Sequence, residues 1–67
     1  MNKIKSYRQA ISYSQNKMAF ELGLSINGYR QKESGETEFK KSEMLKFTKV
    51  INRFMPNITV QEIFFNQ

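Results

Sequence analysis

Ile26, Asn27, Arg30 and Gln31 are the side chains of this 67-residue sequence whose types and spacing suggest chemistry. On a helix these four positions share one face. Asn and Gln present a donor beside an acceptor, Arg presents a planar fork of donors, and Ile presents methyl groups. Such a set can make paired hydrogen bonds and an apolar contact with a partner of fixed donor–acceptor pattern. The plain alternative is a solvated polar face. Other chemistry is scarce. The chain has no Cys, His or Trp, which leaves no thiol nucleophile, disulfide, zinc finger or imidazole base. Its acids are six scattered Glu with no Asp. We therefore expect no enzyme, no cofactor and no metal site.

The net charge is +5 and the pI about 9.8, which points to a polyanion or an acidic partner. Many small basic domains are merely soluble, so charge does not separate these readings. It is unevenly placed: residues 1–33 carry six basic and two acidic side chains, residues 34–67 five and four. No apolar run approaches the ~20 residues of a membrane span. Met1-Asn2-Lys3-Ile4-Lys5 has a basic flank without an apolar stretch behind it, so no signal peptide is expected. The charges are spread rather than gathered along one amphipathic face, which argues against a membrane-surface helix. A domain this small without disulfides suits a reducing compartment, so the expected location is the cytoplasm.

The elements that must position these residues all read as helices. Ile4, Tyr7 and Ile11 form one stripe of a first helix over roughly residues 2–11. Ser14 can cap a second helix, with Tyr13 placed to pack on Met18 as a hydrophobic staple. That helix runs through Ala19 and Leu22 to Gly23, the residue type favoured just past a helix end. Ser25 then caps a third helix, ending at about Glu33 or Ser34 before Gly35. Residues 34–41 read as a loop with one apolar anchor, Phe39. A fourth helix is predicted from about Lys41 to Phe54, with the stripe Met44, Phe47, Ile51 and Phe54 and with Val50 alongside; Pro56 forbids its continuation. Thr59-Val60-Gln61-Glu62 is a capping box, with Ile58 and Ile63 as its staple, and predicts a short helix over 60–65. Five short helices and no strand candidate make one all-α domain spanning 1–67, which at this size buries roughly 60% of its unfolded surface.

Gly23-Leu24-Ser25 is a three-residue turn between two short helices. Ala19 stands four residues before Gly23, where the helices cross closely, and Met18, Leu22, Leu24 and Tyr29 take the inward positions. This is a helix-turn-helix pattern over residues 15–33, and it resembles the phage repressor and Cro-type (XRE) family. The resemblance extends over nearly the whole chain. Ser14-Gln15 opens the second helix as in that family, and Glu33-Ser34-Gly35 matches its Glu-x-Gly end to the recognition helix. Arg8 stands where many members carry an Arg paired to that Glu. Residues 58–64 look like the family's closing helix.

What the resemblance implies is double-stranded DNA binding. The second helix of such a motif lies in the major groove, which assigns base reading to Ile26, Asn27, Arg30 and Gln31, with a further base contact from Gln15. Asn and Gln suit adenine, Arg guanine, and Ile a thymine methyl. Asn16 and Lys17, at the start of the second helix, would contact phosphate. So would Lys40 and Lys41, where members grip the sugar-phosphate backbone. Lys3 and Lys5 would add long-range attraction or serve as ordinary surface charge. Arg8 and Glu33 form a structural ion pair. Members usually bind as homodimers on near-palindromic operators, and Ile58, Phe64 and Phe65 are the expected dimer surface, one of the adjacent Phe facing a partner or Phe65 covering its own core.

Three residues depart from the pattern. Lys32 occupies a position usually apolar, which predicts weaker packing or a frayed end for the third helix. Gly28 lies inside that helix at a cost of about 1 kcal/mol relative to Ala; it either lets the backbone approach DNA or is simply tolerated. Phe20 replaces a polar, outward residue and is a possible protein contact. The leading expectation is a small Cro-like repressor of a phage or prophage, in a bacterial cytoplasm, without a sensor domain. The alternative is a protein–protein modulator acting on a larger repressor through Phe20 and the 64–65 pair. A third reading, an antitoxin, lacks the tail its toxin would grip.

Overall fold

Four of the five helices of the computed structural model, which describes residues 2–65, begin on a side-chain oxygen that takes one of their free N–H donors. Asn2 Oδ1 accepts from the N–H of Lys5 at 3.0 Å and opens α1 (Lys3–Ala10). Ser14 Oγ accepts from Lys17 at 3.0 Å and opens α2 (Gln15–Leu22). Ser25 Oγ accepts from Gly28 at 3.1 Å and opens α3 (Ile26–Ser34). At α4 (Lys41–Asn52) the capping residue is Lys40, which has no side-chain acceptor; the Glu43 carboxylate instead takes the Lys40 N–H at 2.8 Å. Thr59 and Glu62 form the expected reciprocal box at α5 (Val60–Phe64). Among the described residues there is no strand, and the fold is all-α.

The first three helices end alike. At Gly23 (φ 71°) the N–H of Leu24 reaches back to Ala19 O at 2.9 Å, and at Gly35 (φ 89°) that of Glu36 reaches Gln31 O at 2.9 Å. These are Schellman ends, in which a left-handed residue turns the chain so that two late carbonyls find donors. The same geometry closes α1, with Tyr13 N–H on Arg8 O at 3.2 Å, but the left-handed residue is Ser12 (φ 60°). A Cβ in that region is unfavourable by ~1–2 kcal/mol.

The first helix is one residue shorter at each end than predicted, and two later boundaries also move. The fourth helix stops at Asn52 rather than Phe54. Asn52 Nδ2 donates to Met55 O at 3.1 Å and Ile58 O at 2.7 Å, folding the chain back before Pro56. Phe54 therefore leaves the core stripe: it is 54% exposed and packs edge-to-face with Tyr13. The fifth helix ends one residue early, with Phe65 as its C-cap.

The core gathers Ile11, Tyr13, Met18, Ala19, Leu22, Tyr29, Phe47, Val50, Ile51 and Ile63. Both residues of the Tyr13–Met18 staple are in it, and Ile58 packs on it beside Ile63. Phe39, the anchor of the 35–40 loop, stacks edge-on with Tyr29, Phe47 and Phe64, its centroid 6.3, 6.3 and 5.3 Å from theirs. One ring thus fastens the loop to α3, α4 and α5 together. No helix among the described residues is long and apolar enough to cross a membrane.

Candidate nucleic-acid interface

The α2–turn–α3 unit is held from beneath by one carboxylate. Glu33, on the inner face of the last turn of α3, is buried. Its Oε2 accepts from Arg8 Nε at 2.7 Å and from the Tyr29 hydroxyl. Its Oε1 accepts from Arg8 Nη2 and from Gln15 Nε2, both at 3.0 Å. Arg8 Nη1 donates to Tyr13 O at 2.7 Å, and Asn2 Nδ2 donates to the Glu33 carbonyl at 2.6 Å. Donors from α1, α2 and α3 thus converge on a single acidic residue. No buried side-chain nitrogen or oxygen among the described residues lacks a partner.

The electrostatics follow from this geometry. Burial alone would raise the Glu33 carboxyl, but the hydrogen bonds from Arg8, Tyr29 and Gln15 together outweigh it and hold the group below its usual 4.5. Glu33 in turn raises Arg8 against the opposing effect of burial. Burial, then Glu33, pushes the Tyr29 hydroxyl far above its usual range, so it stays protonated and donates.

With its inner face locked, α3 presents Asn27, Arg30 and Gln31 to solvent, while Ile26 is half-buried at its first turn. Arg30 Nε donates to Gln15 Oε1 at 3.1 Å across the α2–α3 gap. Gln15 therefore faces its own chain at both ends of its amide. Asn16 is exposed, as is Lys17, whose ammonium sits 4.5 Å from the centroid of the Tyr13 ring. Lys40 and Lys41 stand exposed at the start of α4.

Comparison with protein-family models, curated proteins and solved structures finds no match. The geometry must carry the functional reading.

Several placements correct the expectations from sequence. Lys32 does not fray α3. Its ammonium bridges Glu43 Oε1 at 2.8 Å and Glu38 O at 3.1 Å, so a charge in an apolar slot becomes a tie from α3 to α4. At Gly28 an added Cβ would lie 3.0 Å from the capping Ser25 Oγ, so this position is also crowded within the chain. Of the four residues assigned to a partner surface, Phe64 is half-buried against Phe39 and Phe47, at 5.3 and 5.6 Å, and Ile58 leans on the core. Both have contacts within their own chain. Phe20 and Phe65 are the exposed members, at 84% and 58%. Sequence reasoning missed Asn2, Gln15 and Tyr29 as partners of Glu33. For Tyr29 a signal existed, since a buried Tyr four residues before a helical Glu places its hydroxyl near that carboxylate.

Proposed function

We propose that this protein is a sequence-specific double-stranded DNA-binding regulator, a small Cro-like repressor that places α3 in the major groove. The observation that carries this reading is the division of α3 into two faces. Tyr29 and Glu33 are buried and tied to α1 and α2, while Asn27, Arg30 and Gln31 are exposed beside a partly covered Ile26. Base reading needs side chains on a rigid support with their donors and acceptors uncommitted to the core. A net charge of +5 supplies the attraction for a polyanion.

In this reading Asn27 and Gln31 address adenine, Arg30 guanine and Ile26 a thymine methyl. Asn16, Lys40 and Lys41 hold phosphates. Lys17, whose ammonium lies over the Tyr13 ring, joins them with its remaining N–H donors. One short helix reads few base pairs, so the protein acts as a dimer on a near-palindromic operator, its half-sites about one helical turn apart. Its setting is a phage or prophage in a bacterial cytoplasm.

A second reading, a modulator that binds another repressor, is favoured by Phe20, which exposes 84% of its surface on α2. A gel shift and footprint with the DNA upstream of the protein's own gene separates the two. Specific protection by the purified protein, falling steeply with salt, supports the repressor. A shift that changes only when a larger repressor is present supports the modulator.

A further inference from the structure

The geometry points to Gln15 as a positioning residue that fixes how Arg30 presents its guanidinium, and so to one guanine in each half-site as the base Arg30 selects. This inference rests on the DNA-binding reading above, and assigns to Gln15 a role other than touching a base.

The direction of the amide decides the matter. The Glu33 carboxylate, already taking Arg8 and Tyr29, accepts only, so the Gln15 end turned toward it must be the amino group, Nε2 at 3.0 Å. The carbonyl end then faces the opposite way, and there Oε1 accepts from Arg30 Nε at 3.1 Å. Arg8 and Gln15 both donate to Glu33, and Arg30 donates in turn to Gln15, so the bonds run inward to the buried carboxylate from both sides. With Nε engaged, Arg30 offers its remaining fork, Nη1 and Nη2. Two parallel N–H groups are what guanine O6 and N7 accept in the major groove. The brace is also neutral. A carboxylate at position 15 would cancel part of the charge of Arg30 and stand against Glu33, whereas the amide orients the guanidinium and leaves its charge available.

The test uses the full-length protein, with Gln15→Ala and Gln15→Leu beside Arg30→Ala. Arg30→Ala identifies the guanine as the base pair at which preference is lost. Both Gln15 variants are expected to lower preference at that same base pair by about two- to tenfold, the weight of ordering one long side chain. Affinity for non-specific DNA should stay within twofold of wild type, which a merely structural role would not separate from the specific loss. Undiminished guanine preference in a folded Gln15 variant overturns the proposal. A second measurement needs neither DNA nor a variant: in the free wild-type protein the Arg30 Nε–H signal should exchange with solvent more slowly than a free arginine's. Exchange as fast as free arginine overturns the brace. Slow exchange in a protein that binds no DNA leaves the brace standing and removes the DNA-binding reading instead.

Discussion

The Arg8 guanidinium lies side-on to the Glu33 carboxylate, Nε to Oε2 at 2.7 Å and Nη2 to Oε1 at 3.0 Å, with both side chains almost wholly out of water. Such a bidentate pair is held by geometry, and its energetics are asymmetric. Removing one partner strands the other. Glu33→Ala is expected to destabilise the domain by ~3–5 kcal/mol, because Arg8 is left as a buried charge and Gln15 and Tyr29 lose their acceptor. Replacing Arg8 and Glu33 together by Met and Leu should cost less than Glu33→Ala alone. Urea unfolding of the three proteins checks this, and an unchanged midpoint for Glu33→Ala would remove the carboxylate from its central role.

Acid should unfold the protein through the same group. Glu33 and Glu43 both titrate below the usual 4.5 in the folded state: burial opposes the shift in each, and the bonds from Arg8 and from Lys32 respectively help to outweigh it. A depressed folded value means stability is complete above the unfolded value and is lost as pH falls from about 4.5 through the folded values. Melting temperature should be flat near neutrality and drop in that acid range. The drop should be shallower in Glu33→Gln, which starts from a lower plateau.

Lys32 and Glu43 make a different kind of tie. Their bond is 2.8 Å long with side-chain exposures of 13% and 9%, and Glu43 retains the Lys40 N–H when Lys32 is gone. Lys32→Ala should therefore cost about 1–2 kcal/mol, less than the loss at Glu33. Lys32→Leu should not recover that loss in full, since the carboxylate facing it remains. Thermal melts of both variants decide it.

Ser12 offers a gain. Its left-handed backbone is unfavourable by ~1–2 kcal/mol for a residue with a Cβ, and glycine gives back ~0.4–1 kcal/mol through a freer unfolded chain. Ser12→Gly should stabilise the domain by about 0.5–1 kcal/mol. A destabilised variant would show that the Ser12 side chain contributes a contact of its own.

On DNA, Asn27→Ala should cost ~1–3 kcal/mol of discrimination at one base pair. Lys40→Ala should weaken all sequences alike and reduce the salt slope by about one ion. Quantitative binding at three salt concentrations distinguishes the two patterns.

What sequence made legible here was whatever three or four neighbouring residues settle among themselves. Ser14, Ser25 and Thr59 bond within their own first turn, and Gly23 and Gly35 close helices through their own backbone. These starts and stops were readable for that reason. The end of α4 was not, because periodicity continues to Phe54 while the stop comes from Asn52 reaching Ile58. Lys32 looked misplaced because its partner Glu43 lies 11 positions away. Phe64 looked available because nothing local shows that Phe39 would come down upon it. Within the candidate site, the exposure of Asn27, Arg30 and Gln31 was legible from helical spacing alone. The coupling of Gln15 to Arg30 depends on how two helices cross, and spacing along one of them carries no trace of it.

Asn2 carries a last consequence. Its side chain caps α1 with its oxygen and holds the Glu33 carbonyl with its nitrogen. The first turn of α1 and the last turn of α3 therefore share a fastening across 31 positions of sequence. Opening either segment breaks the bond between them, so each adds to the cost of opening the other by about one hydrogen bond, ~0.5–1.5 kcal/mol. Amide protection in the first turn of α1 and the last turn of α3 should therefore fall together in Asn2→Ala, as hydrogen exchange can measure. Asn2 is thereby a clasp between the start of α1 and the end of α3, the helix proposed to read bases.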